Sequence, residues 1–100
     1  MLTMREGILT TENIINTVKP IALKYGVEEI YLLGSYARGE ATVDSDLDFL
    51  VFGGKDFKLT MIFALAEDLR ESFNKNVDVF EINADSDFYN NIMKERLLVA

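Results

Sequence analysis

Residues 46–82 constrain the fold most, because their pattern predicts a strand, a helix and a second strand in direct succession. Apolar residues dominate 46–52 and 76–82, whereas residues 59–73 carry apolar side chains at helical spacing. A strand that is followed by a crossover helix and a further strand in the same sheet pairs in parallel, with a right-handed connection. The sequence therefore predicts an α/β layer fold built around two parallel strands.

The rest of the chain predicts further elements around this unit. Before this unit we predict a helix over 11–25, a strand over 29–33, and a turn over 34–40 that opens a short helix. After it we predict a last helix over 86–95, with Ser86 as its N-cap. The C-terminal stretch 97–100 fits either an extension of that helix or a short edge strand. We expect residues 1–10 to be a loose lead-in and residues 11–100 to form one domain, with a small mixed sheet of three to four strands flanked by helices.

The composition of the 100-residue chain excludes several function classes. It has no cysteine and no histidine, so any metal must be held by oxygen ligands, which favours Mg²⁺, Mn²⁺ or Ca²⁺. A net charge of −7 argues against binding to duplex nucleic acid through its phosphates. No apolar run is long enough to span a membrane and the N-terminus lacks a signal-peptide pattern, so we expect a cytoplasmic protein with no membrane partner.

Three aspartates are the candidate metal ligands. Side chains alternate along a strand, so Asp46 and Asp48 face the same way with Cα atoms about 7 Å apart, while their apolar neighbours face the core. Asp78 stands alone among apolar residues of the next strand and can project beside them. Neighbouring carboxylates repel each other unless a cation lies between them, so this cluster suits an oxygen-binding divalent ion.

The Gly34-Ser35 turn is the candidate phosphate site. A strand that ends in Gly-Ser and opens a helix presents backbone N–H groups and a hydroxyl, a combination that binds phosphate oxygens. Together with the carboxylates, it suggests phosphoryl or nucleotidyl transfer with two metal ions. A P-loop is excluded because Glu40-Ala41 follows Gly39 where Lys and Ser/Thr are required.

The run Gly-Ser-Tyr-Ala-Arg-Gly-Glu-Ala from Gly34, with Asp-Ser-Asp-Leu-Asp from Asp44, resembles the minimal nucleotidyltransferase (MNT) branch of the DNA-polymerase-β-like nucleotidyltransferases. The resemblance implies that Asp46 and Asp48 hold Mg²⁺, with two ions expected. It implies that Asp78 is the third carboxylate, which helps to bind the catalytic metal and accepts the proton of the attacking hydroxyl. Gly34 and Ser35 would hold the triphosphate of ATP or another nucleoside triphosphate.

The same resemblance implies a partner. Many relatives are antitoxins paired with a HEPN-domain toxin, and some transfer AMP from ATP to a tyrosine of that toxin. Two alternatives remain open from the sequence: a non-catalytic antitoxin that neutralises its partner by occlusion, and an enzyme that nucleotidylates a small molecule. The intact set of carboxylates favours protein adenylylation over occlusion, and 100 residues leave no room for the extra substrate domain that antibiotic-modifying relatives carry.

The remaining polar residues of the motif have competing interpretations. Arg38 is either a surface cation or a phosphate or partner contact, and Ser45 either forms the turn before the strand or touches the nucleotide. Ser35 could also act as a helix N-cap, whereas Tyr36 is expected to pack in the core. One charged set is expected to form the solvent face of the long helix: Glu67, Asp68, Arg70 and Glu71.

Overall fold

The computed structural model describes residues 8–54, 57–81 and 96–100. Its elements, in chain order, are α1 Thr11–Tyr25, β1 Glu29–Leu33, α2 Gly34–Arg38, β2 Leu47–Phe52, α3 Met61–Phe73, β3 Val77–Phe80 and β4 Leu97–Leu98. The predicted helix over 86–95, with Ser86 as its N-cap, lies outside the described residues, as does most of the expected lead-in. Within the described residues, no helix is both long enough and apolar enough to cross a membrane.

Helix α1 begins and ends where its capping residues stand. The hydroxyl of Thr10 accepts a hydrogen bond from the backbone N–H of Asn13 at 3.0 Å, which satisfies a donor that the first turn leaves free. At the other end Gly26 takes a left-handed conformation with φ 68°, as expected for a glycine that ends a helix. The buried face of the helix carries Ile14 and Val18.

The sheet has four strands in the order β3-β2-β1-β4. Strands β2 and β3 are parallel, as the strand–helix–strand pattern predicted, whereas β1 pairs antiparallel with both β2 and β4. The predicted mixed sheet is confirmed. The C-terminal stretch, which the sequence left open between a helix and an edge strand, forms strand β4 beside Tyr31 and Leu32.

Three elements are shorter than predicted. Strand β2 begins at Leu47 rather than residue 46, and β3 spans Val77–Phe80 rather than 76–82. Helix α3 begins at Met61 rather than residue 59, because Met61 N–H donates to the Lys58 carbonyl in a turn that precedes the helix. The spacing of apolar residues located each element but not its ends, where backbone hydrogen bonding decides.

The core lies between one face of the sheet and helices α1 and α3. The predicted inward residues of β2 are fully buried, together with the inner faces of the two helices: Leu47, Phe49, Val51, Ile14, Val18, Leu65 and Leu69. Alternation along β2 therefore turns the side chain of Asp48 to the opposite face. Leu50, on that opposite face, is also fully buried, which the sequence did not predict.

The charged face of α3 does more than face solvent. The Asp68 carboxylate accepts hydrogen bonds from the Tyr25 hydroxyl at 2.6 Å and the Lys24 ammonium at 2.9 Å, and so links α3 to α1. Arg70 Nε donates to the carbonyl of Val77 at 3.2 Å, linking α3 to β3. The predicted solvent face is confirmed for Glu67, Arg70 and Glu71, which are exposed, whereas Asp68 is half-buried. Helical spacing cannot show which residues of such a face also bond to a neighbouring element.

Candidate active site

The residues that the sequence singled out meet at one edge of the sheet. Strand β1 ends at Leu33, which pairs with Asp48 near the start of β2. Asp48 in turn pairs with Asp78 near the start of the parallel strand β3. The topology therefore gathers the Gly34 turn, the Asp46–Asp48 segment and Asp78 at the same edge, although 44 positions separate the first of them from the last.

Gly34 lies directly against the carboxylate of Asp48. Its φ is +70°, which L side chains rarely adopt, and a Cβ at this position would lie 2.9 Å from Asp48 Oδ2. Only glycine leaves the carboxylate in its present place while the chain turns from β1 into α2. The candidate phosphate turn and a candidate metal ligand are thus in contact.

Ser35 is half-buried in the first turn of α2. The residue at the N-cap position is Leu33, in extended conformation, and no side chain caps the helix. The alternative interpretation of Ser35 as the N-cap was therefore wrong. Ser35 directly follows Gly34, the glycine that lies against Asp48.

The three aspartates interact electrostatically around Asp48. Partial burial raises the pKa of Asp48 above its usual range, and the negative charges of Asp78 and Asp46 and a hydrogen bond with the Asp78 carboxyl raise it further. Asp46 and Asp78 are exposed, whereas Asp48 is half-buried between them. The cluster therefore carries repulsion that a cation between its oxygens would relieve.

The donor set fits a divalent cation that prefers oxygen. Asp48 and Asp78 are paired across the parallel strands β2 and β3, and Asp46 is near enough for its charge to act on Asp48. Within the described ranges no three acidic side chains already converge tightly enough to surround an ion. Two carboxylates on paired residues of neighbouring strands and a third on an exposed loop end are compatible with the closing of such a ligand set around Mg²⁺.

Ser45 and Asp46 also line a cavity of about 500 Å³ beside this edge. Ser45 holds the turn before β2, since its Oγ accepts a hydrogen bond from Thr42 N–H at 2.9 Å and its own N–H donates to the Thr42 carbonyl. The predicted turn role of Ser45 is confirmed, and a role in nucleotide binding stays a prediction.

The two other motif side chains differ in burial. Tyr36 is packed in the core, as predicted, and its hydroxyl accepts a hydrogen bond from Leu9 N–H at 3.4 Å. Arg38 is exposed at the end of α2, and its Nε donates to Glu40 Oε1 at 2.9 Å. Its predicted contact with a phosphate or a partner stays a prediction.

Two cations that were not predicted as site residues line the same cavity, Arg70 and Lys75. Arg70 resembles any charged residue on a helix face, and Lys75 lies in a short connection. Only its position in the sequence could have indicated Lys75. It stands three residues before Asp78, just before the strand that carries this candidate catalytic carboxylate.

Comparison with known proteins places the chain in a family. Residues 16–100 match the family model for polymerase beta nucleotidyltransferases. A protein of Methanocaldococcus jannaschii named as a protein adenylyltransferase is 38% identical over 88 residues, covering 84% of this chain and 90% of its own. The protein adenylyltransferase MntA of Thermococcus cleftensis is 38% identical over 81 residues, covering 79% of this chain and 77% of its own.

Solved structures share the fold. One described as a minimal nucleotidyltransferase superposes with a TM-score of 0.75 at 25% identity, covering 89% of this chain and 95% of that one. A toxin–antitoxin structure with AMP-PNP gives 0.72 at 20% identity, covering 86% and 72%. An MNT antitoxin in complex with a tri-AMPylated HEPN toxin of Shewanella oneidensis gives 0.68 at 17% identity, covering 91% and 72%. The site geometry and the match over residues 16–100 agree, and the chain belongs to the polymerase beta nucleotidyltransferase family.

Proposed function

We propose that this chain transfers AMP from ATP to a hydroxyl group of a partner protein. The observation that carries the proposal is the contact of Gly34 with Asp48, which itself pairs with Asp78. The candidate phosphate turn therefore adjoins a candidate metal ligand, Asp48, and that residue pairs with the candidate proton acceptor, Asp78. The names of the two relatives at 38% identity, both protein adenylyltransferases, support the same chemistry.

A divalent metal ion is the cofactor that the family generally uses. In this proposal Asp46 and Asp48, with help from Asp78, hold Mg²⁺, and two ions are the expected number. When bound, the metal supplies positive charge to the phosphate oxygens and favours the deprotonated form of the attacking hydroxyl.

The nucleotide contacts follow from the neighbourhood of Gly34. The backbone N–H groups of Gly34 and Ser35 donate hydrogen bonds to phosphate oxygens beside Asp48, and the Ser35 hydroxyl donates another. Ser45 adds a contact from the turn before β2, and Arg38 adds a charge from the end of α2. Residues 11–100 act as one nucleotidyltransferase domain in this proposal, preceded by the lead-in.

Transfer proceeds by displacement at the α-phosphorus. The hydroxyl oxygen of the acceptor forms a bond to the α-phosphorus, and the bond from that phosphorus to the bridging oxygen breaks. Pyrophosphate leaves with the electron pair of the broken bond, and the hydroxyl proton passes to the Asp78 carboxylate. The product is a phosphodiester between AMP and the acceptor.

We further propose that the acceptor is a tyrosine of a HEPN-domain toxin, so that the chain acts as its antitoxin. A solved complex of an MNT antitoxin with an AMPylated HEPN toxin contains a chain with the same fold as this one. This likeness supports the proposal that the present chain pairs with a HEPN-domain toxin. The net charge of −7 favours a partner with a basic face. Transfer requires the hydroxyl to be held in line with the α-phosphate, which a docked partner would do.

Incubation with α-labelled ATP, Mg²⁺ and a HEPN-domain protein encoded beside this chain tests the proposal. We expect label on the partner with the parent protein and none with the Asp46→Asn/Asp48→Asn variant. A partner that stays unlabelled, yet is neutralised equally by the parent and by that variant, would favour occlusion. Efficient labelling of a small molecule by the chain alone would overturn the protein acceptor.

A further inference from the structure

Asp46 differs from the other two candidate metal ligands in how the fold holds it. Asp48 and Asp78 lie within β2 and β3 and pair with each other across the parallel strands. Asp46 is exposed and precedes β2, outside this pairing, which begins with Leu47 and Val77. A ligand on a loop binds more weakly when the loop must be ordered on binding. The contribution of Asp46 therefore depends on what holds the segment before β2.

The segment before β2 is a compact turn that is attached to the sheet just after Asp46. Within the turn, Ser45 N–H donates to the Thr42 carbonyl at 3.0 Å, and Thr42 N–H donates to Ser45 Oγ at 2.9 Å. After Asp46, the N–H of Leu47 donates to the carbonyl of Asn76 at 3.1 Å, in the connection between α3 and β3. A unit attached at one point can still rotate about it, so a second contact is needed to fix Asp46.

Lys75 supplies a second contact from the same connection. Asn74, directly after α3, takes a left-handed conformation with φ 53°, and its N–H donates to the Arg70 carbonyl at 2.8 Å. The chain therefore leaves the helix in a defined direction. The Lys75 ammonium donates to the carbonyl of Val43 at 3.2 Å, inside the turn. Lys75 is half-buried, whereas Asn74 and Asn76 on either side of it are exposed.

The Lys75 ammonium also lies 6.0 Å from the centre of the Tyr36 ring, in helix α2. A cation at about this distance from an aromatic ring is attracted to its face. Tyr36 is buried in the core, so its ring is a fixed neighbour. The Lys75 side chain therefore connects the turn before β2 both to the start of β3 and to the core beneath α2.

From these contacts we infer that Lys75 is a positioning residue for Asp46. Its ammonium holds the turn over residues 42–45, so that the carboxylate that follows stays near Asp48, on which its charge acts. The pair is then ready to share a divalent cation, with less ordering of the loop on binding. The inference rests on the proposed function, which assigns Asp46 to the metal.

The positive charge of Lys75 gives this inference a definite sign. An ammonium near a divalent cation repels it. If Lys75 acted on the metal through its charge alone, its removal would strengthen metal binding. If Lys75 positions Asp46, its removal weakens metal binding, because the turn must then be ordered when the ion binds.

Mn²⁺ alone is the probe, because electron paramagnetic resonance measures its binding without nucleotide or transfer. Lys75→Met removes the donor and the charge, and Lys75→Arg keeps both. The control Lys58→Met removes the same charge from an exposed residue just before α3. Amide hydrogen exchange distinguishes the two neighbours of Lys75, because Ser45 N–H reports on the turn and Glu40 N–H, bonded to the Ser35 carbonyl, reports on the end of α2. Thermal unfolding of each variant measures its stability.

We expect Lys75→Met to bind Mn²⁺ roughly three- to tenfold more weakly, with faster exchange at Ser45 and unchanged exchange at Glu40. Lys75→Arg and Lys58→Met should match the parent in all three measurements. Unchanged or tighter Mn²⁺ binding by Lys75→Met, or exchange that rises equally at Glu40, would overturn the inference alone. A parent protein that binds no Mn²⁺ would overturn the proposed metal site and this inference with it.

Discussion

At the scale of single residues, the site depends on how closely Gly34 approaches Asp48. A hydrogen in place of a side chain lets the β1–α2 turn lie against the carboxylate, and that carboxylate is also held beside Asp78. Burial and two neighbouring charges raise the pKa of Asp48, so the site is unfavourable for its own charges without a ligand. Such unfavourable clustering is typical of sites that bind or react rather than of sites that stabilise a fold.

Gly34→Ala should impair transfer far more than it impairs folding. The new Cβ would meet Asp48 Oδ2 at 2.9 Å and displace the carboxylate, which we expect to slow transfer roughly a hundredfold. The positive φ adds a stability cost of about 1–2 kcal/mol. Transfer rates and thermal unfolding curves on the same preparations measure the two effects.

Gly26→Ala is the matched control for this change. Gly26 has nearly the same φ, 68°, but a Cβ there would meet nothing within 4 Å. The two variants should lose similar stability, and only Gly34→Ala should lose transfer. Equal transfer rates in the two variants would show that Gly34 serves the turn alone.

Asp78→Asn should separate binding from chemistry. If Asp78 accepts the proton of the attacking hydroxyl, its amide replacement should slow transfer roughly a hundred- to ten-thousandfold. Nucleotide affinity should stay the same or rise slightly, because one negative charge near the triphosphate is gone. A near-normal rate in this variant would make Asp78 an ordinary strand residue.

At the scale of elements, helices α1 and α3 are joined by a polar contact as well as by the core. Asp68 on α3 accepts hydrogen bonds from Tyr25 and Lys24 at the end of α1. Those partners, the Tyr25 hydroxyl first, lower the pKa of Asp68 below its usual value. None of these three residues belongs to the candidate site, so their contact should affect stability without affecting transfer.

The pH dependence of stability should report this contact. A carboxyl whose pKa is lowered by folding stabilises the protein above its unfolded pKa, and that contribution is lost as the pH falls through the folded pKa. Asp68→Asn should therefore lower the melting temperature at pH 7 and shrink the drop on acidification to pH 3. Glu71→Gln removes a charge from an exposed position of the same helix and should leave the drop unchanged. An unaltered acid profile in Asp68→Asn would contradict the role of the contact.

An element could be predicted from the sequence where its buried side chains recur at the spacing of a strand or a helix. The alternation of Leu47, Phe49 and Val51 marks one buried face, and it also assigns Asp48 to the other. Strand β4 has two residues, too few to show any period, so only its pairing with β1 decides its conformation. Lys75 and Arg70 look like ordinary surface cations in sequence, because only the fold brings the turn after α3 to the loop before β2.

At the scale of the whole molecule, the packed core holds three carboxylates together at one edge of the sheet, where their negative charges repel one another. This repulsion destabilises the folded state, and bound metal and nucleotide should relieve it. Binding to the folded state alone raises its stability by mass action. The whole chain should therefore respond to nucleotide and metal as one cooperative unit.

Mg²⁺ with ATP at a hundred times its dissociation constant should stabilise the parent by about 2.7 kcal/mol. The Asp46→Asn/Asp48→Asn variant should show no such gain, and without ligands it should be at least as stable as the parent because repulsion is relieved. Thermal unfolding with and without ligands measures both effects. The variant Glu67→Gln/Glu71→Gln removes two charges from α3 and should respond like the parent. Equal stabilisation of the parent and the aspartate variant would refute the metal and nucleotide site.

Transfer of AMP to a partner protein can be read directly from the intact mass of that partner after reaction. A HEPN-domain protein encoded beside this chain is incubated with the chain, Mg²⁺ and ATP, and mass spectrometry is followed by peptide mapping. We expect a partner heavier by one or more adenylyl groups on tyrosine, and an unchanged mass when the chain carries Asp46→Asn/Asp48→Asn. A partner of unchanged mass that the parent and the variant neutralise equally well would refute transfer of AMP as the basis of neutralisation.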